Sequence, residues 1–247
     1  MTPAVAQNRW GRNAGLALLA AVALFALATP PLAGIDPARQ SLAQSLTPPG
    51  SAHWFGTDVL GRSVLARLAE ATRLSLGLAL LASFTAAVPG TLLGVLAAWR
   101  GGAVERLLVL LADAVLSVPG LLLVLLMAMT APGKALPIYL GLALAQWVEY
   151  FRVARAASRP VLAGDAVQAS RLLGFGPLYL LRRHLLPALA PVLGTLLALG
   201  TAQAVLAVAA LGFISVGLQP PTPELGLMLV EFLPHYEEAP WLIAAPV

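Results

Sequence analysis

"LSLGLALLASFTAAVPGTLLGVLAAW", residues 74–99, contains no ionisable side chain from end to end. A helix needs about 20 apolar residues to cross the hydrocarbon of a bilayer, so this stretch reads as a membrane span. The rest of the chain agrees. Of its 247 residues 59% are hydrophobic and only 11% charged, and the mean hydropathy is +0.85, outside the range of a soluble domain. The expected fold is an all-α, polytopic membrane protein.

Working outward, four further apolar runs reach span length once Gly and Pro are tolerated, as they are in membrane helices: 14–35, 107–129, 135–151 and 185–216. The last is long enough to be tilted, kinked or partly outside the membrane. "WLIAAPV", 241–247, begins a sixth run that is too short to span within this sequence, so a sixth helix is expected to be incomplete or absent. Arg9, Arg12 and "ALAT" at 26–29 imitate a secretory signal with its cleavage site. The apolar run is longer than a signal core, which favours an uncleaved first helix.

Basic residues mark the cytoplasmic loops of membrane proteins. With the N-terminus inside, the inner side holds Arg9, Arg12, Arg100, Arg106, Arg152, Arg155, Arg159, Arg171, Arg182 and Arg183, ten of the fifteen Lys and Arg. Arg39, Arg62, Arg67, Arg73 and Lys134 fall outside, as do Glu224, Glu231, Glu237 and Glu238 in a final loop without a basic residue. The expected N-terminus is therefore cytoplasmic. The pI near 10.1 belongs to this asymmetry, and no nucleic-acid partner is expected. The absence of cysteine removes disulfides, thiolate metal sites and thiol nucleophiles.

The inner stretch "DAVQASRLLGFGPLYLLRRHLLP", 165–187, holds two glycines, two prolines and Arg171, Arg182 and Arg183 between apolar runs. Gly174 and Gly176 suit a C-cap and turn, and Pro177 suits the first turn of a new helix. A short helix from about Asp165 to Leu173, a tight turn and a helix re-entering the membrane at Leu185 are expected. One reading is a solvated positive-inside loop. The other is a small-faced helix, with Ala166, Ala169 and Ser170, offered to a partner.

These residues resemble the EAA loop of ABC importer permeases: Glu-Ala-Ala, three residues, Gly, nine residues, then Ile-x-Leu-Pro. With Gly174 on the pattern's glycine, Gln168, Ala169 and Ser170 stand at Glu-Ala-Ala, His184 at Ile, and Leu186 and Pro187 at Leu-Pro. "HWFGTDVLGRSVLARLAEATRLSL", 53–76, resembles the signature ahead of the second span in the C-type permeases of dipeptide, oligopeptide and nickel importers. Ser63 replaces its final Asp; Phe55, Gly56, Thr57, Asp58, Gly61 and Arg62 match. "GLQPPTPELG", 217–226, resembles their outer loop after the fifth span.

The resemblance implies a type I ABC importer permease bundle of about six transmembrane helices in a bacterial inner membrane. It divides the chain into 1–73, a first helix and outer loop, and 74–247, the permease transmembrane domain with the coupling loop at 165–187. It implies as partners a second, B-type permease, two cytoplasmic ABC ATPases and an extracytoplasmic binding protein. Residues 168–174 would couple to the ATPases, with Leu186 and Pro187 closing the motif, and Phe55 to Arg62 would form the outer gate or the binding-protein side. No GxxxxGK[ST] phosphate loop is present, so ATP and Mg would be used by the partner ATPases, with no cofactor bound by this chain. The wording of "QASRLLG" and "QWVEYFRVAR" leans toward the nickel or metal-chelate branch, with di- and oligopeptides open.

Other residues invite competing readings. Asp113, inside the third span, is a functional candidate by its cost in the membrane, or a structural partner of Arg106 two turns earlier. Glu149 reads as interfacial or as part of the path. No metal site is expected, the only conceivable cluster being His53, His235, Glu237 and Glu238. Pro89, Pro119, Pro187 and Pro191 are candidate hinges or ordinary breaks. As rival functions, an intramembrane enzyme would need Ser215 near a histidine, and a secondary transporter would need paired halves, which the sequence does not display. No catalytic residue is expected.

Overall fold

The computed structural model describes residues 13, 15, 17–27 and 36–246; Arg9, Arg12 and much of the expected first span lie outside them. The helices are α1 (Ala17–Leu27), α2 (Val64–Arg100), α3 (Gly102–Leu116), α4 (Gly120–Thr130), α5 (Ala135–Ala163), α6 (Asp165–Leu172), α7 (Pro177–Phe213), α8 (Leu225–Phe232) and α9 (Trp241–Ala244). Among the described residues there is no strand, only an isolated antiparallel bridge between Thr57 and Ser63. The all-α expectation holds.

Two helices, α2 and α7, are each long and apolar enough to cross a membrane, and α3 with α4 passes the same test as a bent pair. The single third span read over 107–129 is corrected: α3 and α4 meet at 74°. Pro119 is the cause. It cannot donate a backbone hydrogen bond, and it drives the preceding Val118 out of the helical region, so α3 closes at Leu116 and α4 restarts behind Pro119. By contrast α2 runs unbroken through Pro89, α5 through Pro160 and α7 through Pro191. The stretch read as the fourth span lies within a longer helix, since α5 goes on to Ala163, and α5 does not pass the test that α2 and α7 pass. Gln146, Glu149 and Arg152 lower its apolarity below that of α2 and α7. The fifth begins earlier than read, at Pro177, and carries a π turn at Leu181–Leu185.

The chain forms two compact units, one of the residues up to Ser75 together with 218–246, the other Leu76–Gly217. The sequence division placed 218–247 with the transmembrane part; by compactness it groups with the outer-loop segment.

In the first unit Val64, Leu68 and Ala71 of α2 form an apolar cluster with Met228 and Phe232 of α8 and Leu242 of α9. In the second, α5 packs against α3, α4, α6 and α7. Lipid supplies no hydrophobic force between helices, so close backbone approach through small residues must do the work. Gly90 and Gly94 of α2 do this. A Cβ on Gly90 would strike the Trp147 carbonyl and lie 2.8 Å from Tyr150 Cβ; one on Gly94 would strike the Phe151 carbonyl and lie 2.9 Å from Ala154 Cβ. On the other face of α5, Gly141 admits Val124 and Met127 of α4. Polar atoms are added at one level: Ser83 Oγ donates to Gln146 Oε1 at 2.9 Å, and Gln146 Nε2 donates to the Gly200 carbonyl at 3.3 Å, tying α2, α5 and α7.

Gly94→Leu should therefore part α2 from α5 and destabilise the chain by about 1–3 kcal/mol, read as a lower thermal unfolding midpoint in detergent. Gly77→Leu, on the same helix where nothing lies within 4 Å of the added carbon, should leave the midpoint unchanged.

Candidate functional site

The 165–187 turn begins where α5 stops. Gly164 is extended, and α6 starts at Asp165, whose carboxylate favours the positive end of the short helix. At its far end Phe175 N–H donates to the Ser170 carbonyl at 3.1 Å and Gly174 N–H to the Arg171 carbonyl at 3.0 Å, the two bonds of a Schellman turn. This requires a left-handed residue, and Gly174 has φ +80°. The expected helix, turn and second helix are present.

Val167 and Ser170 face inward while Gln168 and Ala169 are exposed. Ser170 Oγ donates to the Ala166 carbonyl at 2.8 Å and lies 3.0 Å from His184 Nε2. With the hydroxyl hydrogen already used, the imidazole N–H is the donor. His184, read from the sequence as interfacial, thus ties α6 to the foot of α7. Arg171 lies over the Trp99 ring, 5.5 Å from its centre, tying α6 to α2. Gln168 Nε2 donates to the Leu162 carbonyl at 3.4 Å, near the end of α5. A carboxylate at this position could not donate, so the amide replaces a charge with a local tether. Leu186 is exposed and Pro187 sits in the first turn after the π segment.

The turn projects Leu172 (90% exposed), Leu173 (76%), Phe175 and Leu178. Contiguous apolar exposure of this kind outside a span marks an interaction surface.

In the first unit the signature loop is arranged around one carboxylate. Asp58 is fully buried and accepts from Leu60 N–H and Arg62 N–H, both at 2.9 Å, from Arg62 Nε at 2.6 Å, and from an Arg67 guanidinium nitrogen at 2.7 Å. Arg62 and Arg67 reach onward to Glu231 of α8 at 3.3 and 2.6 Å, and Arg67 also lies over the Phe232 ring at 5.7 Å. Two acids and two bases close on one another. Thr57 is buried and donates to the Gln44 carbonyl; Gly56 and Gly61 hold φ of +71° and +69°. Phe55 and Trp54 are exposed. Ser63, in place of Asp, still caps α2, accepting from Ala66 N–H at 3.4 Å.

Arg67 and Glu231 were not singled out from sequence. The available signal was an arginine among Val64, Leu65 and Leu68, where a charge must be paired. Glu224, also missed, is a buried N-cap of α8 that accepts from Gly226 N–H at 3.0 Å and Leu227 N–H at 2.9 Å. Burial raises its carboxyl above the ordinary carboxylate value, and these hydrogen bonds pull back.

Asp113 pairs with Arg152 of α5 at 2.6 Å and not with Arg106, which donates from Nε to the Gly102 carbonyl at 3.3 Å. Since α3 bends away at Pro119, its flank faces α5, where Glu105 likewise binds Arg155 at 2.7 Å and also Arg159. Glu149 is exposed. Among the described residues no group of three or more His, Asp or Glu is placed to hold a metal, so His53, His235, Glu237 and Glu238 do not assemble; Tyr236 donates to Glu237 at 2.7 Å. His184 and Ser215 sit near opposite ends of α7, on the order of 45 Å apart at 1.5 Å per residue, which dismisses that nucleophile and base pair.

Asp58→Asn should cost about 3–5 kcal/mol, the range for removing one partner of a buried ion pair, measured by thermal unfolding in detergent. Glu224→Gln tests the buried cap. Because the folded carboxyl is raised above its unfolded value, the folded state takes up the proton first. Its contribution is fully present below about pH 4.3 and is lost as pH rises through the folded value. The stability of the wild type minus that of Glu224→Gln should therefore grow on acidification; a flat difference would contradict the shift.

Residues 90–245 match the family described as binding-protein-dependent transport system inner membrane component. The chain is 33% identical over 247 aligned residues to the dipeptide transport system permease protein DppC of Haemophilus influenzae, covering 97% of this chain and 83% of that one. It is 37% identical to the di/tripeptide transport system permease protein DppC of Pseudomonas aeruginosa, covering 96% and 80%, and 32% identical to the nickel transport system permease protein NikC of Escherichia coli, covering 90% and 80%. These relatives are transport permeases and not enzymes. Matched along most of its length, the chain belongs to the family of binding-protein-dependent transport system inner membrane components.

Proposed function

We propose that this chain is the C-type permease subunit of an ATP-driven importer. It forms half of a translocation path with a B-type permease, receives cargo from an extracytoplasmic binding protein, and is driven by two cytoplasmic ATPases that use ATP and Mg. Its N-terminus and the 165–187 turn face the cytoplasm, in line with the count of arginines. The observation that carries the reading is the α6 turn. An eight-residue helix is fixed at both ends, by Gly164 and by the Schellman bonds at Gly174, and tied laterally by Ser170–His184 and Arg171–Trp99. It presents Gln168, Ala169, Leu172 and Leu173 outward. That is a rigid handle with an apolar tip, suited to a groove on a partner.

Di- and tripeptides are the proposed cargo class, supported by the 37% identity to the di/tripeptide permease. Nickel or a metal chelate is the second reading, supported by the 32% identity to NikC and by the wording around Gln168. A metal carried as a chelate needs no bare-ion ligands in the path. Phe55 and Trp54, exposed on a loop otherwise locked by Asp58, are the proposed contacts for the binding protein.

The test is cargo-stimulated ATP hydrolysis in proteoliposomes holding this chain, its partner permease, the ATPases and the binding protein. A dipeptide should stimulate and a nickel chelate should not; the reverse result moves the chain to the metal branch. Gly174→Val, which forces a β-branched side chain to positive φ, should cut stimulation about five- to thirtyfold, from a strain of about 1–2 kcal/mol. Gly174→Asn, which tolerates that conformation, should retain it. Unchanged coupling in the valine variant would reduce the turn to a basic loop.

A further inference from the structure

We propose that the foot of α7 binds an anionic phospholipid, its headgroup phosphate on Arg182 and Arg183 and one acyl chain in the apolar groove between α2 and α7. The proposal rests on the reading above that α7 enters the bilayer from the cytoplasm. A cavity of about 420 Å³ is lined by Leu178, Tyr179, Arg182 and Arg183, with no acidic residue in its wall. The six arginines of 152–183 divide sharply. Arg152 is held by Asp113, Arg155 and Arg159 by Glu105, and Arg171 by the Trp99 ring. Arg182 and Arg183 alone have no carboxylate or aromatic partner among the described residues, and both are exposed.

The π turn at Leu181–Leu185 carries both of these arginines. Its bonds run from i to i+5, and both arginines line the cavity together with Leu178 and Tyr179. Tyr179 is held in place by stacking on Phe175, ring centres 4.2 Å apart. From Leu185 to Val216 no ionisable side chain follows. The arginine pair is thus the last charge before the hydrocarbon, at the depth of lipid phosphates, where tyrosine is also favoured. Paired guanidinium forks suit phosphate oxygens, and basic pockets on the cytoplasmic side of spans take anionic headgroups.

A second groove, about 360 Å³ and apolar but for Thr91, lies between α2 and α7, over Val88, Thr91, Leu186, Leu193, Gly194 and Leu197, with Leu186 one turn beyond Arg182. Leu186, Leu193 and Leu197 follow Arg182 and Arg183 at helical spacing, on the same face. The missing side chain of Gly194, with nothing within 4 Å of the place a Cβ would take, keeps it open. An acidic protein surface would use the arginines but has no use for a groove running up the span. The pairing of anion site and apolar channel favours a lipid.

The full chain, purified in uncharged detergent, is titrated with phosphatidylglycerol and with phosphatidylcholine of the same chains, bound lipid being counted by native mass spectrometry. Phosphatidylglycerol should bind at least tenfold more tightly. Arg182→Gln with Arg183→Gln should weaken it about 25-fold, at about fivefold for each arginine, while Arg152→Gln leaves it unchanged. Gly194→Leu should weaken long-chain phosphatidylglycerol and spare a six-carbon-chain analogue, with circular dichroism checking that each variant is folded. Equal binding of the two lipids overturns the proposal, as does equal loss in Arg152→Gln. Displacement by inorganic phosphate at the same concentration would mark a soluble-anion site. Loss of ATPase co-purification in the double variant with lipid binding intact would assign the surface to the ATPase. The lipid titration itself needs neither cargo nor ATPase, so its failure leaves the importer reading standing, and failure of cargo-stimulated hydrolysis leaves the lipid result standing.

Discussion

Where α2 passes α5, the two backbones touch through Gly90 and Gly94. Side chains in lipid gain little by leaving one apolar surroundings for another, so helices there hold together by the number of atoms brought into contact. Two missing side chains, one turn apart, let α2 reach the carbonyls of Trp147 and Phe151. The cluster of Ala97, Ala112, Val148 and Phe151 and the Ser83–Gln146–Gly200 bonds form at the spacing this sets. The ion pairs between α3 and α5 then fix the flank on which Arg152, Arg155 and Arg159 emerge. Without that contact α5 would keep α3, α4 and α7 as neighbours but lose its seat on α2, and α6, which hangs from its end, would lose the alignment that brings Arg171 over Trp99.

The other unit is built on a different force. Asp58 has no water and no option but to find its hydrogen bonds in the chain. It satisfies four donors from its own loop and from α2, and through Arg62 and Arg67 it engages Glu231. In this set of two carboxylates and two guanidinium groups each charge already has an opposite partner, so its first role is to hold the loop on α2 and α8. The signature residues from Thr57 to Arg62 thus form a frame, next to which Trp54 and Phe55 stand exposed.

Much of this was legible in the residues. The α6 turn could be read because glycine and proline act locally: Gly174 stands where only a left-handed residue fits, and Pro177 where a helix can start. The second and fifth spans could be read because apolarity over about 20 residues has a single physical outcome in a membrane protein. The break at Pro119 was harder to see. Proline is tolerated at 89, 160 and 191 without ending the helix, and whether a freed carbonyl finds a new partner depends on packing that a linear pattern does not contain. Partner choice failed for the same reason. Arg106 is the right distance from Asp113 along α3, but Arg152 comes from another helix. Arg67 and Glu231 lie far apart in the chain and meet through the fold.

One consequence of α5 being a single uninterrupted helix concerns mechanics. From its contact with Gly94 at Phe151, the helix extends about 24 Å toward Ala135 and about 18 Å toward Ala163, at 1.5 Å per residue. Both arms are gripped, the long one by α4 at Gly141 and the short one by Asp113 and Glu105 at Arg152, Arg155 and Arg159, so the rod can shift only together with its neighbours. Gly164 joins α6 to it, with Arg171 on Trp99 and Ser170 beside His184 as further ties. The same two glycines that pack the helix set where α2 grips it, and moving them by a turn would slide that grip along the rod by about 5.4 Å.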